Sequence, residues 1–147
     1  MAMEQRDRSR RVRVMIADDN KEMRETVIRL LENEYEIVGA VGDGRSLVAE
    51  ANKLAPDIGI VDISMPIMNG IDAAAQIKKD GLATKIICLT VNEDTDFVRA
   101  AFEIGASGYV VKRQMASDLE VALTAVLAGR KFISPGCGLP ALASLRD

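Results

Sequence analysis

The stretch Ile58–Gly70, IGIVDISMPIMNG, constrains this chain more than any other part of it. A short apolar run stops at a carboxylate, Asp62, and a turn built on Met65-Pro66 and Gly70 follows. Four to eight apolar residues bounded by breakers read as a strand buried on both faces of a parallel sheet. The chain is therefore predicted to deliver one acidic side chain to the end of a core strand.

The rest of the chain alternates in the same manner. Residues 12–17 (VRVMIA) form a predicted strand ending at Asp18-Asp19-Asn20, and Met23, Val27, Leu30 and Leu31 then recur at helical spacing. Residues 36–41 (EIVGAV) give a second strand closed by Gly42-Asp43-Gly44, with a helix over 46–54 that stops before Pro56. Helical spacing returns at Ile71, Ala74 and Ile77, then a strand over 85–90 (KIICLT), a helix over 94–104, and a short strand over 109–111. The last helix carries a predicted capping box, Ser117 with Glu120, and an apolar face of Leu119, Ala122, Leu123 and Val126. Residues 130–147 read as irregular. Five strands alternating with five helices predict one parallel α/β sheet covered on both faces.

Composition narrows the class. At 147 residues the chain suits one domain that buries about two-thirds of its unfolded surface. Aromatics make up 3% of it, so the core must be aliphatic. No apolar run approaches the roughly 18 residues of a membrane span, and the Arg-rich start lacks a signal peptide's apolar segment, so the expectation is cytoplasmic, without membrane contact. Cys88 and Cys137 form neither a disulfide framework nor a metal cluster. Residues 1–13 carry a charge of +3 within a total of −3, which leaves an acidic body at −6. Such a body disfavours non-specific nucleic-acid binding, and the arm over residues 1–11 reads as a solvated basic tail.

Ligand sites in such sheets lie beyond the carboxyl ends of the strands. Asp18 and Asp19 follow the first strand, Asp62 the third, Thr90 ends the fourth and Lys112 follows the fifth. Any one of them could be an ordinary polar loop residue. Together, three acids, a hydroxyl and a lysine at one edge call for a cation, and a chain without histidine favours magnesium over zinc. A carboxylate so placed can attack phosphorus and form an acyl phosphate, and Asp62 is best placed to do so.

The acidic pair, Asp62-x-x-Met65-Pro66-x-x-x-Gly70, Thr90 and Tyr109-Val110-Val111-Lys112 together resemble the receiver domains of bacterial two-component response regulators, over residues 12 to about 130. The resemblance implies a flavodoxin-like (βα)5 fold with strand order 2-1-3-4-5. It implies that Asp62 accepts a phosphoryl group from a sensor histidine kinase, in a domain that is not a conventional enzyme but catalyses its own phosphorylation and dephosphorylation. Magnesium would be held by Asp19, Asp62, the backbone carbonyl of Ser64 and, through water, Asp18. Thr90 and Tyr109 would be the switch, the ring turning inward as the hydroxyl is drawn to the phosphoryl group. The stretch to Pro135, AVLAGRKFISP, resembles receivers of the LuxR/NarL/FixJ type, which precede a helix-turn-helix domain. The expectation is a transcription regulator whose residues 131–147 form a tail or begin a linker, with DNA reached only through an output domain and a homodimer formed on phosphorylation. The alternative is a stand-alone or phosphorylation-independent receiver acting as a binding module.

Two departures stand out. Arg113 follows Lys112 where many receivers have proline, and Gly59 lies inside the key strand, where glycine weakens a sheet. Other chemistries fit worse. A haloacid dehalogenase-like hydrolase needs a second acid two residues after the first, a position held here by Ser64, and residues 39–44 match neither dinucleotide nor P-loop fingerprints.

Overall fold

Alternation within each strand decides the layering. In β1 (Arg13–Ala17), Val14 and Ile16 pack into one apolar layer while Met15 and Ala17 pack into the other. The same split runs through β3 (Ile58–Val61), β4 (Lys85–Thr90) and β5 (Gly108–Val111), because successive side chains of a strand point to opposite faces. Both faces must therefore be covered. The helices α1 (Lys21–Leu31) and α5 (Met115–Leu127) cover one, and α2 (Gly44–Leu54), α3 (Gly70–Lys79) and α4 (Thr95–Glu103) the other.

The structure is a computed structural model in which residues 10–137 are described. The basic arm before Arg10 and the tail after Cys137 lie outside the described residues. With β2 (Glu36–Val41) and β6 (Phe132–Ile133), the sheet has six parallel strands in the order β2-β1-β3-β4-β5-β6. The sequence predicted five, in the order 2-1-3-4-5. The sixth was missed because two residues are too few to show alternation, and it pairs Phe132 and Ile133 with Gly108 and Tyr109, covering an edge of β5 that would otherwise be open. No helix among the described residues is long and apolar enough to cross a membrane.

Gly59 now has a reason. A Cβ there would come within 3.3 Å of Ile86 Cδ1 on the neighbouring strand, so the glycine makes room for that isoleucine.

Four helices begin at the carboxyl edge of the sheet under side-chain caps. Asn20, Asp43, Asn69 and Asp94 accept from the backbone N–H groups of Met23, Ser46, Asp72 and Asp96. Each cap is worth about 1 kcal/mol, and it fixes where the loop ends and the helix starts. Asp43 thereby starts α2 at Gly44, two residues before the predicted bound. The capping box predicted for α5 does not form. A 3-10 turn over Lys112–Gln114 leads directly into the helix at Met115, so Ser117 is already inside the first turn. Its hydroxyl donates backward to the Gln114 carbonyl (3.1 Å).

Candidate functional site

The carboxyl ends of β1, β3 and β5 meet in one acidic cleft. Backbone hydrogen bonds set its floor, the Asp18 N–H donating to Val41 O (3.0 Å) and the Asp62 N–H to Ala17 O (2.9 Å). Carboxylate oxygens of Asp18, Asp19 and Asp62 lie within 4.8 Å of one another. Asp18 and Asp62 are buried while Asp19 is exposed at the mouth. Lys112 Nζ enters from the 3-10 turn, donates to Asp62 Oδ2 at 3.0 Å and lies 2.7 Å from Asp18 Oδ2.

The departure at Arg113 does not misdirect this lysine. No peptide among the described residues is cis, and Lys112 still reaches both acids. Arg113 turns the other way and makes two 2.8 Å hydrogen bonds to the Glu93 carboxylate, tying the start of α5 to the loop after β4.

The loop from Asp62 to Gly70 is closed by the Gly70 N–H donating to Ile63 O (2.8 Å). Closure brings backbone against backbone. A Cβ on Gly70 would stand 2.0 Å from Asp62 O, and one on Gly44 would stand 2.0 Å from Met68 O, so the first residues of α3 and α2 must be glycine for this loop to pack. The Ser64 N–H reaches Asp62 Oδ1 at 3.3 Å. A groove of about 550 Å3 runs past Asp19, Ser64, Met65, Asn69, Asp72 and Phe97, giving the cleft an open side.

Electrostatics follow from this crowding. Burial raises the Asp62 carboxyl above the usual carboxylate range, the hydrogen bond and charge of Lys112 pull it back in part, and Asp18 adds to the rise. For Lys112, burial opposes the charge, but the close approach of the Asp18 and Asp62 carboxylates outweighs it and raises its pKa. A carboxyl whose folded pKa exceeds its unfolded one stabilises the fold below the unfolded value, and that contribution is lost as pH rises through the folded pKa. Asp62→Asn removes this titration. In chelator, the melting temperature of the variant should therefore gain on that of wild type as pH climbs from the ordinary carboxylate range to neutrality. Thermal melts at stepped pH check this, and a pH-independent difference would contradict it.

The donor set suits a hard divalent cation. The three side-chain ligand candidates are carboxylates, one is open to water, and the buried Asp18 Oδ2 has no hydrogen bond, only the ion pair with Lys112. The resemblance to receiver domains implies magnesium, and the residues of this cluster fit it.

Thr90 is fully buried at the end of β4, but its Oγ1 accepts from the Asn92 N–H (3.3 Å) and Nδ2 (3.2 Å) rather than bonding Asp62. Tyr109 is fully buried too, and its hydroxyl donates to Asn92 O (2.7 Å). Asn92 thus joins the two expected switch residues. Sequence reasoning passed over it, although a polar residue two positions after a threonine is a recognisable turn signal. Arg24, which donates to the Asp18 carbonyl at 2.7 Å and braces the acidic turn, was also missed. Its position one helical turn after Asn20 was the available clue.

An acid-lined cleft at the carboxyl edge of a doubly wound sheet, with a lysine from the last βα connection, defines a receiver. Residues 14–124 match the response regulator receiver domain family, and the chain belongs to it. The chain is 41% identical over 120 residues to the nitrate/nitrite response regulator protein NarP of Escherichia coli, covering 80% of this chain and 54% of that protein. Its fold superimposes with a TM-score of 0.84 on a LuxR-family two-component response regulator from Aurantimonas sp., at 33% identity, covering 93% of this chain and 99% of that one. The isolated receiver domain of RcsB from Salmonella enterica serovar Typhimurium, solved in the presence of phosphomimetic BeF3-, superimposes with a TM-score of 0.79 at 28% identity, covering 92% and 99%. The chain spans about half the length of the curated relatives it matches. It is the receiver domain of a two-component response regulator, homologous to transcription regulators.

Proposed function

We propose that the chain is a magnesium-dependent phosphorylation switch whose acceptor is Asp62. The contact of Lys112 Nζ with both Asp62 and Asp18, beside the acidic cluster, carries this reading. A carboxylate oxygen of Asp62 attacks the phosphorus of a phosphohistidine on a sensor histidine kinase. The new P–O bond forms as the P–N bond breaks, and the imidazole leaves with the electron pair and takes up a proton. Lys112 offers its charge to an oxygen of the transferring group, and Thr90, once released from Asn92, donates a hydrogen bond to another. Asp19, Asp62 and the Ser64 carbonyl would hold magnesium directly, with Asp18 acting through water; the ion would neutralise charge on the phosphoryl oxygens. Attack of water on the acyl phosphate returns Asp62 and inorganic phosphate.

The output is gene regulation through a DNA-binding domain in a longer protein, with a homodimer formed on phosphorylation. Relatives about one and a half times as long, among them the transcriptional regulatory protein DegU of Brevibacillus brevis, favour this over a stand-alone binding module. The chain divides as an arm over 1–11, a receiver over 12–130 that β6 (Phe132–Ile133) extends, and a tail or linker in the remainder of 131–147.

Acetyl phosphate with magnesium should add the mass of one phosphoryl group to the intact chain, and Asp62→Asn should add none. An unlabelled wild type beside a labelled control receiver would refute the reading.

A further inference from the structure

The turn that carries Lys112 has few anchors. It is a single 3-10 turn, Lys112–Gln114, between β5 and α5, and no side chain caps its start or the start of α5. The strand end before it is fixed, because the Val111 N–H donates to Ser134 Oγ (3.0 Å), which in turn donates to Asp118 Oδ2 of α5 (2.9 Å). Within the turn, Gln114 leaves its buried Oε1 without a partner. Lys112 and Arg113 are therefore the side chains that tie the turn to other elements among the described residues, Lys112 to the acids of the cleft and Arg113 to Glu93.

Glu93 is a firm anchor. The Tyr109 hydroxyl donates to the carbonyl of Asn92 just before it (2.7 Å), and Asp94 just after it caps α4. Its own carbonyl oxygen lies 3.5 Å from Sγ of the buried Cys137. Arg113 meets the Glu93 carboxylate with Nε and Nη2 together, each at 2.8 Å, a two-pronged contact that fixes orientation as well as distance. The two side chains are 60% and 40% exposed, so the pair adds little to stability and its contribution is placement. Placement matters most during phosphoryl transfer. In the metal-free chain Asp18 and Asp62 hold the ammonium themselves, but once those acids share their charge with a cation and a phosphoryl group, its position depends on the backbone of the turn.

We infer that Arg113 is a positioning residue for Lys112: its fork on Glu93 fastens the turn so that the ammonium stays aimed at Asp62, at the position where many receivers have proline. This rests on Asp62 being the phosphoacceptor. Proline would fix φ at that position, whereas arginine leaves it free, and the peptide before it is trans. The fork removes that freedom from the side-chain end.

Labelling by acetyl phosphate at saturating magnesium, followed over hours by intact mass, tests the assignment. Arg113→Ala should slow labelling about fivefold, a fraction of the loss expected when the lysine contact itself is removed. Its melting temperature in chelator should stay within about 3 °C of wild type, as befits an exposed pair. Glu93→Ala should match it, and the two substitutions together should be no slower than either alone. A double-mutant cycle separates placement of the lysine from general loosening of the cleft. In a Lys112→Met background no ammonium is left to place, so Arg113→Ala should change the rate less than about twofold there. An unchanged rate in either single variant, an equal slowing in both backgrounds, or a larger fall in melting temperature overturns the positioning role and leaves Asp62 as the acceptor. A wild type that takes no label overturns the acceptor reading and this one with it.

Discussion

Gly70→Ala is expected to cost the fold about 3 kcal/mol or more, at the upper end of overpacking losses, and to displace the acidic group it serves. The added carbon would stand 2.0 Å from the Asp62 carbonyl oxygen, 2.9 Å from the carbonyl carbon and 2.9 Å from Val61 Cγ1. Two of these are backbone atoms of Asp62, the proposed acceptor, itself. They have little room to yield, since the Asp62 N–H is bonded to Ala17 O and the Gly70 N–H to Ile63 O, so a shift on either side breaks a ladder or loop hydrogen bond. A shift of about 1 Å at a reacting group also costs about a hundredfold in rate. Urea unfolding should show a lower midpoint, and acetyl phosphate labelling should slow even in the folded fraction. Gly59→Ala is the control, with its nearest contact the end of the Ile86 side chain at 3.3 Å; its loss should stay below about 1.5 kcal/mol. Similar midpoints for the two variants would contradict the packing account.

The parallel sheet and the acidic cleft were legible for different reasons. Strand identity follows from short apolar runs bounded by breakers, a local pattern, and β1, β3, β4 and β5 lie within a residue or so of their predicted bounds. The cleft was legible because strand ends share an edge in any such sheet, so Asp18, Asp19, Asp62 and Lys112 could be placed together without knowing a distance. What failed depends on contacts distant in sequence. Ser134 means nothing until β6 lies beside β5, and Phe132–Ile133 becomes a strand only because β5 presents an edge. Ser117 matched a capping box in sequence, yet the 3-10 turn that brings Lys112 to the cleft starts the helix early and removes its role. Tyr109, which could equally have been a surface ring, is buried because Asn92 offers its carbonyl to the hydroxyl and α4 and the Cys137 turn close around it.

Lys112→Met should separate the two tasks of the lysine. In the metal-free chain its ammonium is the cation placed against two buried acids, at 2.7 and 3.0 Å, with its side chain 12% exposed. Methionine keeps the apolar stem and removes the charge, leaving Asp18 and Asp62 facing each other with Asp19 close by. Loss of one partner from a buried ion pair typically costs about 3–5 kcal/mol, so the variant should melt well below wild type in chelator. Magnesium should then stabilise the variant more than wild type, because the ion supplies the missing positive charge and no longer shares the acids with an ammonium. Catalysis should not recover with stability. In the proposed reaction the lysine charge acts on the transferring phosphoryl group, and removing one such contact slows comparable reactions by about 10²–10³-fold, so labelling by acetyl phosphate should fall by that factor even at saturating magnesium. Melting curves with and without magnesium, set beside labelling rates at saturating ion, test both halves. An equal magnesium response in the two proteins would mean that the ion and the lysine do not share Asp18 and Asp62, and an unchanged rate would remove Lys112 from phosphoryl transfer.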